Sequence, residues 1–310
     1  MPRTLPILLA IALAAFAVAC DDDDPRVFQD FDTGHGDDVL DLPDVSDPDT
    51  DTDASDSPDT DTPDVSDVSD ADADPNGDLC QPRQDGTITA DQVPMEAGLS
   101  APYLVTLDAE LHTAGEVVDG TRTWDLSIDL PGDETVDIVT IDTADQWFAD
   151  DFPTATYATR LTHDEDLLGV FEATDDALLL LGVVSPEDGL FDTRLTYDPP
   201  VEILRFPLAH EDSWSRQTTV SGRAQGTFPF YTETYTSEVD RRGELLTPFG
   251  TFQVLRVRTE MVRTIGLLTY TYRTFAFVSP CFGTVATIRS QEDESSVEFT
   301  DTAEIRRLTL

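Results

Sequence analysis

The chain predicts an all-β domain, or nearly so, and three observations predict it. Apolar and polar residues alternate at period two in run after run beyond residue 80, turn residues separate the runs, and helical periodicity is hard to find. The architecture expected is a curved antiparallel meander or half-barrel with at most a short N-terminal helix, preceded by a signal peptide and a disordered acidic linker. The boundaries read as 1–19 for the signal peptide, 20–79 for an acylated cysteine and its tether, and 80–310 for one β-rich domain. A domain of about 230 residues is large enough to bury a full core.

At the N-terminus, Arg3 precedes an apolar run from Leu5 to Val18, with small residues at Ala17 and Ala19. The run is too short for a membrane span, which needs about 20 apolar residues, so it reads as a removable export signal. Ala17-Val18-Ala19-Cys20 resembles the lipobox of bacterial lipoproteins. The resemblance implies that Cys20 is exposed by cleavage and carries acyl chains. Each buried methylene adds about 0.8 kcal/mol, so two or three chains would hold the protein on a membrane where one would not. It also implies residence in the bacterial cell envelope, with the outer membrane favoured over the inner. Asp21 and Asp22 resemble an inner-membrane retention signal in enteric bacteria and accompany surface export in other lineages, and that choice stays open.

From Asp21 to Leu79 there are 23 aspartates, one arginine and no glutamate. High charge and few apolar residues predict a disordered, self-repelling spacer. Asp70 to Asp78 alternates carboxylates as a calcium loop does but lacks the closing bidentate glutamate, so weak, diffuse cation binding is expected and no specific site. Over the whole chain 63 acids oppose 18 bases, for a net charge of −45, and every base is arginine. Such a surface repels nucleic acid and anionic headgroups, which leaves lipid and not charge to make the membrane attachment. With Cys20 acylated, Cys80 and Cys281 make an even pair in an oxidising compartment, and a Cys80–Cys281 disulfide is expected, two free buried thiols being the alternative.

Within the domain, Thr89 to Ala97 reads as a helical turn or two, interrupted by Pro94. Trp124 to Leu130 alternates, stops at Pro131-Gly132-Asp133, and resumes from Val136 to Ile141, which predicts a hairpin. Ala177 to Val184 is continuously apolar and short, a strand buried on both faces, with a buried helix as the alternative. Tyr231 to Val239 alternates, Asp240-Arg241-Arg242-Gly243 reads as a turn, and Glu244 to Leu246 returns. Thr247-Pro248-Phe249-Gly250 turns again. Phe252 to Val262 and Leu268 to Val278 follow around Gly266. In the second of these, Thr269, Thr271, Arg273, Phe275 and Phe277 share one face while Tyr270, Tyr272, Thr274 and Ala276 share the other. Gly283 to Ser290 and Val297 to Leu308 complete the meander.

Phe206-Pro207-Leu208, Ser213-Trp214, and Thr247-Pro248-Phe249-Gly250-Thr251-Phe252 leading into Val254 to Val257 resemble bacterial lipoproteins and periplasmic proteins with a strongly curved antiparallel sheet. That sheet resembles the half-barrel of the lipoprotein-localisation carriers, which hold acyl chains under a helical lid. The resemblance implies a binding role, for a lipid or a protein ligand, and carries over no site residue.

No catalytic arrangement emerges. His35, His112, His163 and His210 are scattered, His210-Glu211 lacks a second histidine, and no glycine-flanked serine suggests a nucleophile. His163-Asp164-Glu165-Asp166 reads as a solvated turn. Arg256, Arg258, Arg263 and Arg273 could form a basic stripe, but cross-strand pairing with Glu233, Glu238 and Glu260 is the preferred reading. The aromatics from Phe228 to Phe277 are read as core ahead of pocket. The expectation is a non-enzymatic, membrane-anchored binding protein without cofactor or metal, or alternatively a structural or protein-interaction module of the envelope.

Overall fold

The structure, a computed structural model, describes residues 80–83 and 85–310. The expected signal peptide, Cys20 and the acidic tether lie outside the described residues. Alternation becomes β-structure almost throughout: β1 (Ser100–Leu107), β2 (Glu116–Val118), β3 (Thr121–Asp125), β4 (Glu134–Ile141), β5 (Tyr157–Arg160), β6 (Leu168–Ala173) and β7 (Ala177–Val184). Then come β8 (Thr193–Arg205), β9 (Ser213–Ala224), β10 (Phe230–Leu246), β11 (Thr251–Ile265), β12 (Leu268–Ser279), β13 (Gly283–Ser290) and β14 (Thr302–Leu308). Helix is confined, among the described residues, to the 3-10 turns Ala90–Gln92 and Ala149–Asp151.

β1 and β4 through β14 hydrogen-bond in chain order, and β14 returns to β1, so the sheet closes on itself. The all-β antiparallel class therefore holds, but the meander or half-barrel expected from the sequence is a closed barrel of twelve strands. Closure rests on pairings such as Tyr103 with Leu308, between opposite ends of the domain. It removes the sheet edges that an open half-barrel would expose, and no local pattern announces it.

Two local expectations also change. Trp124–Leu130 and Val136–Ile141 do not pair as a hairpin: β4 lies between β1 and β5, whereas β3 pairs with β2 and, in parallel, with the end of β10. The alternation of Trp124 and Leu126 records burial against the outside of the barrel, where both are 2% exposed. Asp240 to Gly243 is not a turn either. β10 runs straight through it as one 17-residue strand with an irregularity between Val239 and Arg241. Gly243 is there because β3 passes so close that a Cβ would lie 2.1 Å from the Arg122 carbonyl oxygen. The Thr247–Gly250 turn falls where the sequence places it, closed by Gly250 N–H to Thr247 O at 3.0 Å, whereas of the run from Val297 to Leu308 only Thr302–Leu308 is strand.

Strand direction puts the turns 161–167, 185–192, 225–229 and 266–267 at one end of the barrel, and 174–176, 206–212, 247–250 and 280–282 at the other. The second end is plugged. Ile88 pairs with Leu208, and Ile88 and Val93 pack into the lumenal core with Ala90, Met95 and Ala97 beside them. The Cys80–Cys281 disulfide is formed and fastens this segment to the β12–β13 turn, next to Cys281 N–H donating to Gln92 O at 2.7 Å. At the first end, Leu190, Phe191, Phe228, Phe230, Leu267 and Leu268 stand exposed on or beside three successive turns. Residues outside the circuit cover two patches of the outer wall. Phe148 and Phe152 lie over β5–β7, while Trp124, Leu126 and Phe299 lie over β11–β14.

Candidate functional site

Eight strands enclose a lumen that side chains can just fill, and twelve enclose more. Here tyrosines, leucines and the N-terminal plug fill most of it and leave a cavity of about 310 Å³. Its two walls differ in chemistry. Strands β6–β8 contribute Phe171, Leu178, Leu180 and Leu204, all buried in the lumenal core. Strands β10–β14 contribute one polar belt, because Ser237, Thr259, Thr274, Arg289 and Glu304 are each directly opposite the next in register. Met261, Tyr235 and Tyr272 form the adjoining row.

Most polar groups of this wall answer one another. Ser237 and Thr259 share a hydroxyl hydrogen bond of 2.9 Å. Glu304 accepts from the His163 backbone N–H at 2.7 Å and from Arg306 Nε at 2.6 Å, and Arg306 also donates to Leu161 O at 2.8 Å. Arg289 is different. Its Nη2 stands 3.6 Å from Asp164 Oδ1, while its Nε and Nη1 are buried with no hydrogen-bond partner among the described residues. The Thr162 hydroxyl is buried and unpartnered as well.

Beyond the tyrosine row stands a second polar cluster. Arg263 Nε donates to Glu233 Oε1 at 2.8 Å, and the Tyr235 hydroxyl donates to Glu233 Oε2 at 2.7 Å. The guanidinium lies over the Tyr231 and Tyr272 rings at 5.2 and 5.8 Å. Burial works against the charge of Arg263, but the Glu233 carboxylate outweighs it and raises the pKa. Burial, with Glu233 adding to it, pushes Tyr197 and Tyr235 well above their ordinary value, so both stay neutral.

The four arginines singled out from the sequence form no basic stripe. Arg258 pairs with Glu238 at 2.5 Å, Arg273 with Glu260 at 2.6 Å and Arg263 with Glu233, the cross-strand partners the register supplies. Arg256 faces outward under a covering segment and is fully buried. It donates to Asp240 at 2.9 and 2.6 Å, to Glu298 at 2.6 and 3.1 Å, and to Thr113 O at 2.8 Å, over the Phe275 ring at 4.1 Å. The aromatics divide as the alternation implied: Phe275 and Phe277 in the outer cluster, Tyr272 in the lumen.

His112 and His210 are exposed, and His163 meets Glu134 at 3.3 Å. Among the described residues no three His, Cys, Asp or Glu side chains stand together as metal ligands would. His163 to Asp166 lie in the bend between β5 and β6, as the sequence implied, with Asp164 and Asp166 exposed and His163 half-buried, its backbone N–H donating to Glu304. Arg289 escaped the sequence reading, although a lone arginine in the apolar run Ala286-Thr287-Ile288-Arg289 was a signal available to it.

A wider surface cleft of about 500 Å³ lies between the N-terminal segment and β10–β11, bordered by Arg83, Arg122 and Arg242. It is open and shallow, and the lumenal cavity is the more built site. Comparison with protein-family models, curated proteins and solved structures finds no match.

Proposed function

We propose that this chain is an envelope lipoprotein, anchored through acyl chains on Cys20, whose barrel binds a small amphipathic ligand and performs no catalysis. The observation that carries the reading is the two-walled cavity. A lumen that existed only for stability would be closed by interdigitating side chains. This one keeps about 310 Å³ open between leucines and a belt of hydroxyls and arginine, at the small end of the roughly 300–1,000 Å³ typical of ligand sites. That volume suits one acyl chain or a molecule of similar bulk, not the two or three chains of a lipoprotein anchor that the carriers hold. The anchor reading rests on the Ala17-Val18-Ala19-Cys20 pattern.

Native mass spectrometry of the protein from an envelope-exporting host tests the binding role. A co-purifying mass of a few hundred daltons is expected, and a bare barrel from every host tried would count against it. Separately, Cys20→Ser should release the protein from the membrane fraction, and retention there would remove the anchor. The exposed residues Leu190, Phe191, Phe228, Phe230, Leu267 and Leu268, on or beside three neighbouring turns, favour a second reading, a protein-interaction module of the envelope. Serine at Phe191 and Phe228 would then abolish co-purification of a partner protein and leave any cavity ligand in place.

A further inference from the structure

Resting on the reading of the lumen as a ligand site, we propose that its ligand is a monoanionic amphiphile, a single-chain carboxylate whose head is held by Arg289 and Thr162. A buried guanidinium without acceptors is costly, because each donor lost its water on folding and must find a substitute. Arg289 is in that position. Its side chain is 14% exposed, its Nε and Nη1 have no partner among the described residues, and only Nη2 approaches a carboxylate, Asp164 at 3.6 Å.

The neighbour that register would supply does not serve it. Glu304 stands directly across from Arg289, yet both its oxygens are engaged, one by Arg306 and the other by the His163 N–H. Arg306 is satisfied by Glu304 and the Leu161 carbonyl, so one cation on this wall is paired and one is left with open donors. The Thr162 hydroxyl, buried and also without a partner, borders the same cavity. Arg289 and Thr162 thus both border a space whose opposite wall is leucine and phenylalanine. A carboxylate drawn to the Arg289 guanidinium would have its chain along Leu178 and Leu180. An alcohol of the same length would accept fewer hydrogen bonds and leave the guanidinium with Asp164 alone, at 3.6 Å.

The test is calorimetric titration of the full chain, oxidised and carrying Cys20→Ser, with decanoate, decanol and decyltrimethylammonium. Charge-assisted hydrogen bonds predict that decanoate binds roughly 10- to 100-fold more tightly than decanol, and that the cation binds least. Arg289→Met should bring decanoate down to the affinity of decanol without weakening decanol, and Arg289→Lys should recover part of the difference. Equal affinity for decanoate and decanol in the parent chain would overturn the assignment of the head while leaving the cavity reading standing. That comparison needs no variant, so it holds even if Arg289→Met fails to fold. If none of the three binds, the cavity reading falls and this inference with it.

Discussion

Arg256 and Arg258 sit two positions apart on the same outward face and show how little residue type says about energetic weight. Arg256 is buried and gives every hydrogen bond to Asp240, Glu298 or the Thr113 carbonyl, whereas Arg258 and Glu238 meet half in solvent. Removing one member of a buried pair strands the others, at a cost of about 3–5 kcal/mol, while an exposed pair is worth about 1 kcal/mol or less. Urea unfolding should therefore show Arg256→Met strongly destabilised and Arg258→Ala nearly unchanged. The acids have a pH signature. Burial opposes the charge of Glu298, but Arg256 and Thr113 outweigh it and hold its carboxyl below the ordinary 4.5. Burial likewise opposes Asp133 and Glu202, and hydrogen bonds from Thr106, the Leu130 N–H and Arg307 for the first, and from Arg205 and Arg216 for the second, bring both down. A carboxyl depressed on folding stabilises above its unfolded pKa and loses that contribution as pH falls through the folded one. The melting temperature should hold from neutrality down to about pH 5 and then drop as these groups protonate. Glu298→Gln should flatten part of that drop.

At the scale of the element, Gly243 is a position where one methyl group would be felt. A Cβ there would meet the Arg122 carbonyl, so Gly243→Ala should push β3 off β10 at a cost of about 1–3 kcal/mol, with Trp124 emission shifting to the red as its cover loosens. The same glycine shows where sequence reading fails. Arg241-Arg242-Gly243 has the composition of a turn, and only the approach of a strand distant in sequence makes it extended. Trp124 and Leu126 misled in the same way, since alternation reports that one face is buried without naming what buries it. Where the reason for a pattern is local, the reading succeeds. Ala177 to Val184 is apolar on both faces because the lumen lies on one side and Phe148 and Phe152 on the other. The Arg–Glu ladders of β10–β12 follow from a register set by the Thr247–Gly250 turn and by Gly266. The candidate site was less legible: Thr274 was placed on the correct face, but the belt joining it to Arg289 exists only once five strands are in register.

The whole molecule is held by two closures, the β14–β1 ladder and the Cys80–Cys281 bond across a separation of 201 residues. Removing a native disulfide typically costs about 2–5 kcal/mol, so Cys281→Ser should lower the denaturant midpoint substantially. If the N-terminal plug depends on it, Met95 and Val93 amides should also exchange faster with solvent. The bond has a further consequence for the fate of the protein once it meets a protease. Phe191 and Phe228, 70% and 80% exposed, protrude on turns between the two cysteines. A chymotrypsin-like enzyme that cut once at either would open the chain without dividing it. The nicked protein would keep its full mass until a reductant reached the plugged end, when it would fall into two pieces at the first loss of the barrel's ladders.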